Sequence, residues 1–197
     1  MAVEVHTATT EEPVSLTEAK AHLRVVDSTD DTYITTLITA ARQRAEVYLN
    51  RSISSQTLAY TLDSFPAEFV LPRTPVRSVT AITYTDEEGN SQTLAPSVYQ
   101  STLKGETDHR IKKAVDQSWP STLSGSYDAV TVRYVAGWSN PSDSPYSNPL
   151  PTPIKQAILI SIAEMYENRE ETVIGAAISK LPNTVENLLR PYRISLV

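Results

Sequence analysis

From Ile34 onward the apolar positions recur as Ile34, Leu37, Ile38, Ala41, Ala45, Tyr48 and Leu49, a spacing that gathers on one face of a helix with 3.6 residues per turn. The spacing predicts one long amphipathic helix over about residues 30 to 49. Ser28 or Thr29 is expected as its N-cap, with Asp30 and Asp31 in the first turn, where the helix dipole favours negative charge. Arg42, Arg44 and Glu46 are assigned mostly to the opposite, outer side. A shorter helix is expected after Ser15, whose hydroxyl caps the first turn while Glu18 reaches back three positions. Val14 and Ala19 hold the staple positions, and Leu16, Ala19 and Leu23 give a short stripe that needs the rest of a domain to cover it.

After Asn50 the period changes to β-branched and aromatic residues broken by Pro66, Pro72 and Pro75. Thr57–Leu62 and Phe69–Leu71 read as short strands. Ser78–Tyr84 and Ser91–Leu94 read as a hairpin across the turn Asp86-Glu-Glu-Gly-Asn90, where Gly89 or Asn90 supplies positive φ. Further strands are expected near Val98–Gln100, near Arg110–Lys112, and at Val130–Val135, where alternation returns before Gly137.

Residues 140 to 149 are a loop by composition. Thr152 followed by Pro153 predicts an N-cap and first helical position, opening a helix over 153 to 169 with the stripe Ile154, Ile158, Ile162, Met165 and Tyr166. The stretch from Glu170 to Val185 reads as a helix extension, a short second helix or a loop, with a break expected at Pro182 before Val185–Leu189. The expected fold is α+β: helices at both ends of the chain pack together, and a small, mainly antiparallel β-rich lobe is inserted between them. Residues 1 to 13 are expected to form a flexible N-terminal arm, residues 14 to 182 a single domain with its β-rich region at 54 to 138, and residues 183 to 197 a separate C-terminal segment.

The chemistry available is limited. Cysteine is absent, which removes a disulfide framework, a thiol nucleophile and thiolate metal sites. The five glycines are scattered and form no phosphate-binding loop. His6, His22 and His109 are far apart, and Asp108-His109 comes with no assignable nucleophile, so no catalytic, cofactor or metal residue is expected. With 17 basic and 23 acidic residues the formal net charge is -6, which opposes general attraction to phosphate backbones or anionic membranes. The longest strongly apolar stretch, Ala157–Ala163, is too short to span a bilayer, and the acidic N-terminus lacks a signal-peptide pattern, so a soluble protein made in the cytoplasm is expected. Trp119 and Trp138 are read as core-edge or interface residues. The tail Leu188-Leu-Arg-Pro-Tyr-Arg-Ile-Ser-Leu-Val197 alternates apolar anchors with arginines, and packing on its own domain competes with insertion into a neighbour.

The ordered series SLTEAKAHLRV (15 to 25), DDTYITTLITAARQRAEVYLNRSI (30 to 53), LPRTPVRSVTAITYTDEEGN (71 to 90), VTVRYVAGW (130 to 138), PTPIKQAILISIAEMYENRE (151 to 170) and PNTVENLLRPYR (182 to 193) resembles the head-to-tail connector, or adaptor, proteins of long-tailed double-stranded DNA bacteriophages and gene transfer agents. The resemblance implies a structural virion protein, not an enzyme, made in the bacterial host and located at the head-tail interface. It implies a dodecameric ring below the portal that connects the DNA-filled head to the tail and extends the DNA channel. The implied partners are the portal protein, a tail or tail-completion protein, other copies of the chain, and double-stranded DNA in transient non-specific contact, with no membrane and no cofactor. In that frame residues 183 to 197 become a docking segment, with Leu188, Leu189, Arg190, Tyr192, Arg193 and Ile194 as portal-docking candidates and Arg42 and Arg44 as channel-facing candidates. The alternatives from other classes are a DNA-binding packaging module, which needs a concentrated basic face, and a small hydrolytic enzyme, which needs convergent polar groups in a pocket.

Overall fold

The computed structural model describes residues 2–102, 106–138, 149–169 and 183–194. Residues 140–148 of the expected loop, the 170–182 stretch with its Pro182 break, and the last three residues of the tail lie outside the described residues. The fold is α+β, and the chain divides into two compact units, Met1–Thr10 with Ser54–Trp138 and Glu11–Ile53 with Ser139–Val197.

The first unit is built on an antiparallel sheet of five strands in the order β1-β2-β8-β4-β5, formed by β1 (Ala2–Thr7), β2 (Gln56–Leu62), β4 (Val76–Thr85), β5 (Ser91–Thr93) and β8 (Val130–Ala136). A three-stranded antiparallel sheet, β3-β7-β6, comprises β3 (Glu68–Val70), β6 (Tyr99–Thr102) and β7 (Arg110–Lys113). Alternation sets the register: Leu58, Val130, Val132, Tyr134 and Ile82 face one core with Phe69, Leu71 and Ile111. Burial raises the Tyr134 pKa above its ordinary value, and the phenol donates to the Pro72 carbonyl at 2.8 Å. Asp86 closes the β4–β5 turn by accepting from the Asn90 amide at 2.8 Å and the Gln92 side chain at 2.8 Å, while Gly89 adopts φ +85°. Those hydrogen bonds hold the Asp86 carboxyl below the usual carboxylate range.

Gly137 is required at its position. Its φ is +114°, and a Cβ there would stand 2.3 Å from the Ser54 carbonyl oxygen, beside the short bridge that pairs Ser54 with Trp138. Trp138 is buried, and Trp119 stacks on Phe65 with ring centroids 4.8 Å apart against the first unit's core. His109 is buried as well.

One expectation for this unit is corrected. Ala2–Thr7, read as part of an arm, forms an edge strand, because Val3 and Val5 fall opposite Tyr60 and Leu58 and extend the sheet. Its mixed Glu, His and Thr composition hid an alternation only two valines long.

The second unit is helical: α1 (Leu16–Leu23), α2 (Asp31–Leu49), α3 (Thr152–Glu167) and α4 (Asn183–Leu189). Ser15 and Glu18 form the expected capping box on α1. The stripes of α2 and α3 pack together, with Ile34, Leu37, Ala41, Ile154, Ile158 and Ile162 all buried. Two caps differ from expectation by a residue or two. Asp30 rather than Ser28 or Thr29 is the N-cap of α2, because the Asp27 side chain already accepts from the Thr29 amide in a local turn. Pro151 rather than Thr152 caps α3, since Thr152 has already entered the helix with Pro153 in its first turn.

Candidate functional site

The two groups of candidate residues both lie in the helical unit. Arg42 and Arg44 are two positions apart on α2, so a 200° turn separates them. Arg42 is 7% exposed and Glu46, one turn later, is 9% exposed, which corrects the assignment of these residues to the outer side. Their burial follows from pairing. Arg42 Nε donates to Glu12 Oε2 at 2.8 Å, Nη2 to Glu12 Oε1 at 3.3 Å, and Nη1 to Glu46 Oε2 at 2.8 Å. Glu12 also accepts from the Thr39 hydroxyl at 3.0 Å, and Glu46 Oε1 accepts the Ile53 amide at 2.8 Å. Desolvation works against the charged guanidinium, but the hydrogen bonds and charges of Glu12 and Glu46 outweigh it and raise the Arg42 pKa. The group is therefore a permanently charged internal strut. Arg44 is different: its side chain is 42% exposed and stands 3.9 Å from Glu164, a loose pair.

Glu12 and Glu46 are the residues that sequence reasoning missed. Glu46 carried a signal, since Arg and Glu four apart on a helix are neighbours. Glu12 carried none, because its partner is thirty positions away.

At the other end of the unit, α4 runs into a 3-10 turn over Arg190–Tyr192. Val185 and Leu189 are buried, so Leu189 belongs to the unit's own core. Leu188, Tyr192 and Ile194 are half-buried, and Arg190 and Arg193 are exposed. The Ile194 amide donates to the Leu49 carbonyl at 3.0 Å, which satisfies one of the last acceptors of α2, and Arg51 Nη1 donates to the Tyr192 carbonyl at 3.4 Å. The Arg193 guanidinium stands 5.1 Å from the centre of the Tyr48 ring, and the Tyr48 hydroxyl donates to Glu186 at 3.3 Å. The tail is thus anchored on its own unit as far as Ile194. What it presents outward is Arg190, Arg193 and the open sides of Leu188, Tyr192 and Ile194.

At the opposite end of α2, Tyr166 donates its hydroxyl to Asp30, Arg169 pairs with the same carboxylate at 3.2 Å, and the Arg169 guanidinium lies 4.7 Å from the Tyr33 ring. This cluster fixes the end of α3 against the start of α2. Glu18 and Lys155 form an ion pair that ties α1 to α3. Partial burial of the Glu18 carboxyl opposes ionisation, but its hydrogen bonds to Lys155 and Ser15 prevail and lower its pKa. Among the described residues no group of three or more His, Asp or Glu side chains is placed to hold a metal ion, and no helix is long and apolar enough to cross a membrane.

Residues 13–115 match the family described as phage gp6-like head-tail connector protein. Comparison with curated proteins finds no match. Among solved structures, a chain from the neck of an empty gene transfer agent particle, computed with C6 symmetry, is similar with TM-score 0.77 and 23% identity, covering 100% of this chain and 97% of that one. A chain from the virion of a native gene transfer agent particle gives TM-score 0.77 and 21% identity with the same coverages. A third, from the neck of a native particle computed with C12 symmetry, gives TM-score 0.71 and 22% identity, again covering 100% and 97%.

Proposed function

Because the chain belongs to the phage gp6-like head-tail connector family, we propose that it forms a closed ring below the portal, joins the DNA-filled head to the tail and extends the channel through which DNA leaves. The observation that carries this reading is the family match, which runs from the first helix through most of the sheets. The fold's likeness along the full chain to neck chains in particles of C6 and C12 symmetry supports it. The ring is made in the bacterial host cytoplasm and ends at the head-tail interface of the virion. Its function is mechanical rather than enzymatic.

Within this reading the portal contact uses the outward parts of the tail: Arg190 and Arg193 meet acidic groups or carbonyls, and the open sides of Leu188, Tyr192 and Ile194 supply apolar area. Leu189 is already spent on the subunit's own core and contributes indirectly. A channel-facing role falls to Arg44, because the Arg42 guanidinium is fully engaged by Glu12 and Glu46. A single half-exposed arginine in a chain of net charge -6 suits weak, sequence-independent contact with passing DNA. The tail or tail-completion protein binds the opposite side of the ring. Electron microscopy of the purified protein mixed with its portal tests the reading: added annular density at one end of the portal is expected, and portals left bare at saturating protein overturn it.

A further inference from the structure

Among the described residues, the five-stranded sheet of the first unit ends in two edges of matched polarity. Each of the pairs β1–β2, β2–β8 and β8–β4 is antiparallel, so three reversals leave β1 and β4 running in opposite directions. β1 is six residues long and has β2 on one side only. On the far edge β5 covers just Thr83–Thr85 of β4, so among the described residues the Val76–Ala81 stretch has β8 on one side and no second strand paired with it. Ser78 and Thr80 are exposed there, and on β1 Glu4 is exposed and Val5 is 55% exposed.

We propose, resting on the ring reading above, that β1 of one copy adds along the Val76–Ala81 edge of β4 in the next copy, so that the sheet continues from subunit to subunit. A head-to-tail repeat keeps strand directions and the core-facing side unchanged. It therefore sets β1 beside β4 in antiparallel register, the same pairing used everywhere else in this sheet. A β1-to-β1 contact would need a two-fold axis and would stop at a dimer. The lengths agree, six residues against the six from Val76 to Ala81. Both edges carry register shifts, at Val5/Thr7 and at Val76/Ser78 and Val79/Ala81, and such bulges bend a sheet, as one that follows a ring must bend. β1 also has neither Pro nor Lys to keep a further strand away.

The chain has no cysteine of its own, which allows a direct test. Glu4→Cys is combined with Ser78→Cys or with Thr80→Cys in the full chain, rings are assembled on the portal, and a short bismaleimide is added. Denaturing electrophoresis is expected to show a ladder of covalent multimers beyond the dimer for at least one double variant and monomers for each single variant. Rings of normal mass with no ladder overturn the strand contact while leaving the connector reading intact. Dimers from Glu4→Cys alone overturn it in favour of a two-fold β1 pair, and failure of the unmodified chain to form rings overturns both proposals.

Discussion

Arg42 Nε stands 2.8 Å from Glu12 Oε2, so a residue ahead of the first helix is held against the middle of the second. Glu46 completes the charge arrangement from the other side. Removing the arginine takes away the positive charge that the partly buried Glu12 and Glu46 carboxylates share. Arg42→Ala is expected to destabilise the protein by about 3 kcal/mol, as loss of one member of a buried ionic group does. Arg44→Ala, which breaks only a loose 3.9 Å pair, is expected to cost less than about 0.5 kcal/mol. Urea titration of both variants measures the difference, and equal midpoints would refute the inward assignment of Arg42.

Gly137 gives a backbone prediction. At φ +114° with the Ser54 carbonyl where a Cβ would sit, Gly137→Ala must shift the Ser54–Trp138 bridge. A loss of about 3 kcal/mol is expected. The open turn glycine Gly125, which has nothing within 4 Å of its Cβ position, serves as the control, its Ala variant losing only the strain of a positive φ. Thermal unfolding ranks the two.

Glu18 makes part of the stability pH-dependent. Its carboxyl titrates below the ordinary glutamate value of 4.5 in the folded protein. On acidification the unfolded chain therefore takes up the proton first, and the contribution present at neutral pH is lost as pH falls through the folded value. Glu18→Gln keeps a capping-box residue but removes the charge. Its stability deficit relative to the unmodified protein is expected at pH 7 and is expected to close once the pH lies below the folded-state value. A deficit that stays constant over that range would mean the ion pair with Lys155 contributes nothing.

The tail separates folding from docking. Leu189→Ala empties part of the helical core and is expected to cost about 2–4 kcal/mol. Arg190→Ala is expected to leave stability unchanged and to weaken portal binding. For the same reason a deletion from residue 188 would damage the fold before it reported on the portal. Circular dichroism and a portal pull-down on the same samples resolve the two effects, and an Arg190→Ala protein that binds at full strength would remove Arg190 from the docking surface.

The elements were legible where a period was sustained. Seven apolar positions at helical spacing marked α2, and Val130, Val132 and Tyr134 marked β8, because each pattern outlasts the ambiguity of a short window. The β4–β5 turn was readable from Gly89 and Asn90. β1 was not, because an edge strand with one half-covered face needs little hydrophobic alternation and resembles a polar arm. Arg42 was misassigned because an arginine reads as outward until its two carboxylates are known, and only one of them lies within reach on the same helix. The tail's mixture of apolar and basic positions was visible as alternation, but which leucine turned inward depended on the seat that α2 and α3 provide.

The central claim is that this chain closes into a ring on a portal, and native mass measurement of the portal complex tests it most directly. A single species is expected, with as many copies of the chain as the portal's symmetry allows, twelve if the symmetry follows that of the C12 neck. A mixture of masses differing by single subunits with no preferred copy number, or a complex holding one or two copies per portal, would contradict ring closure and with it the account of the chain as a connector.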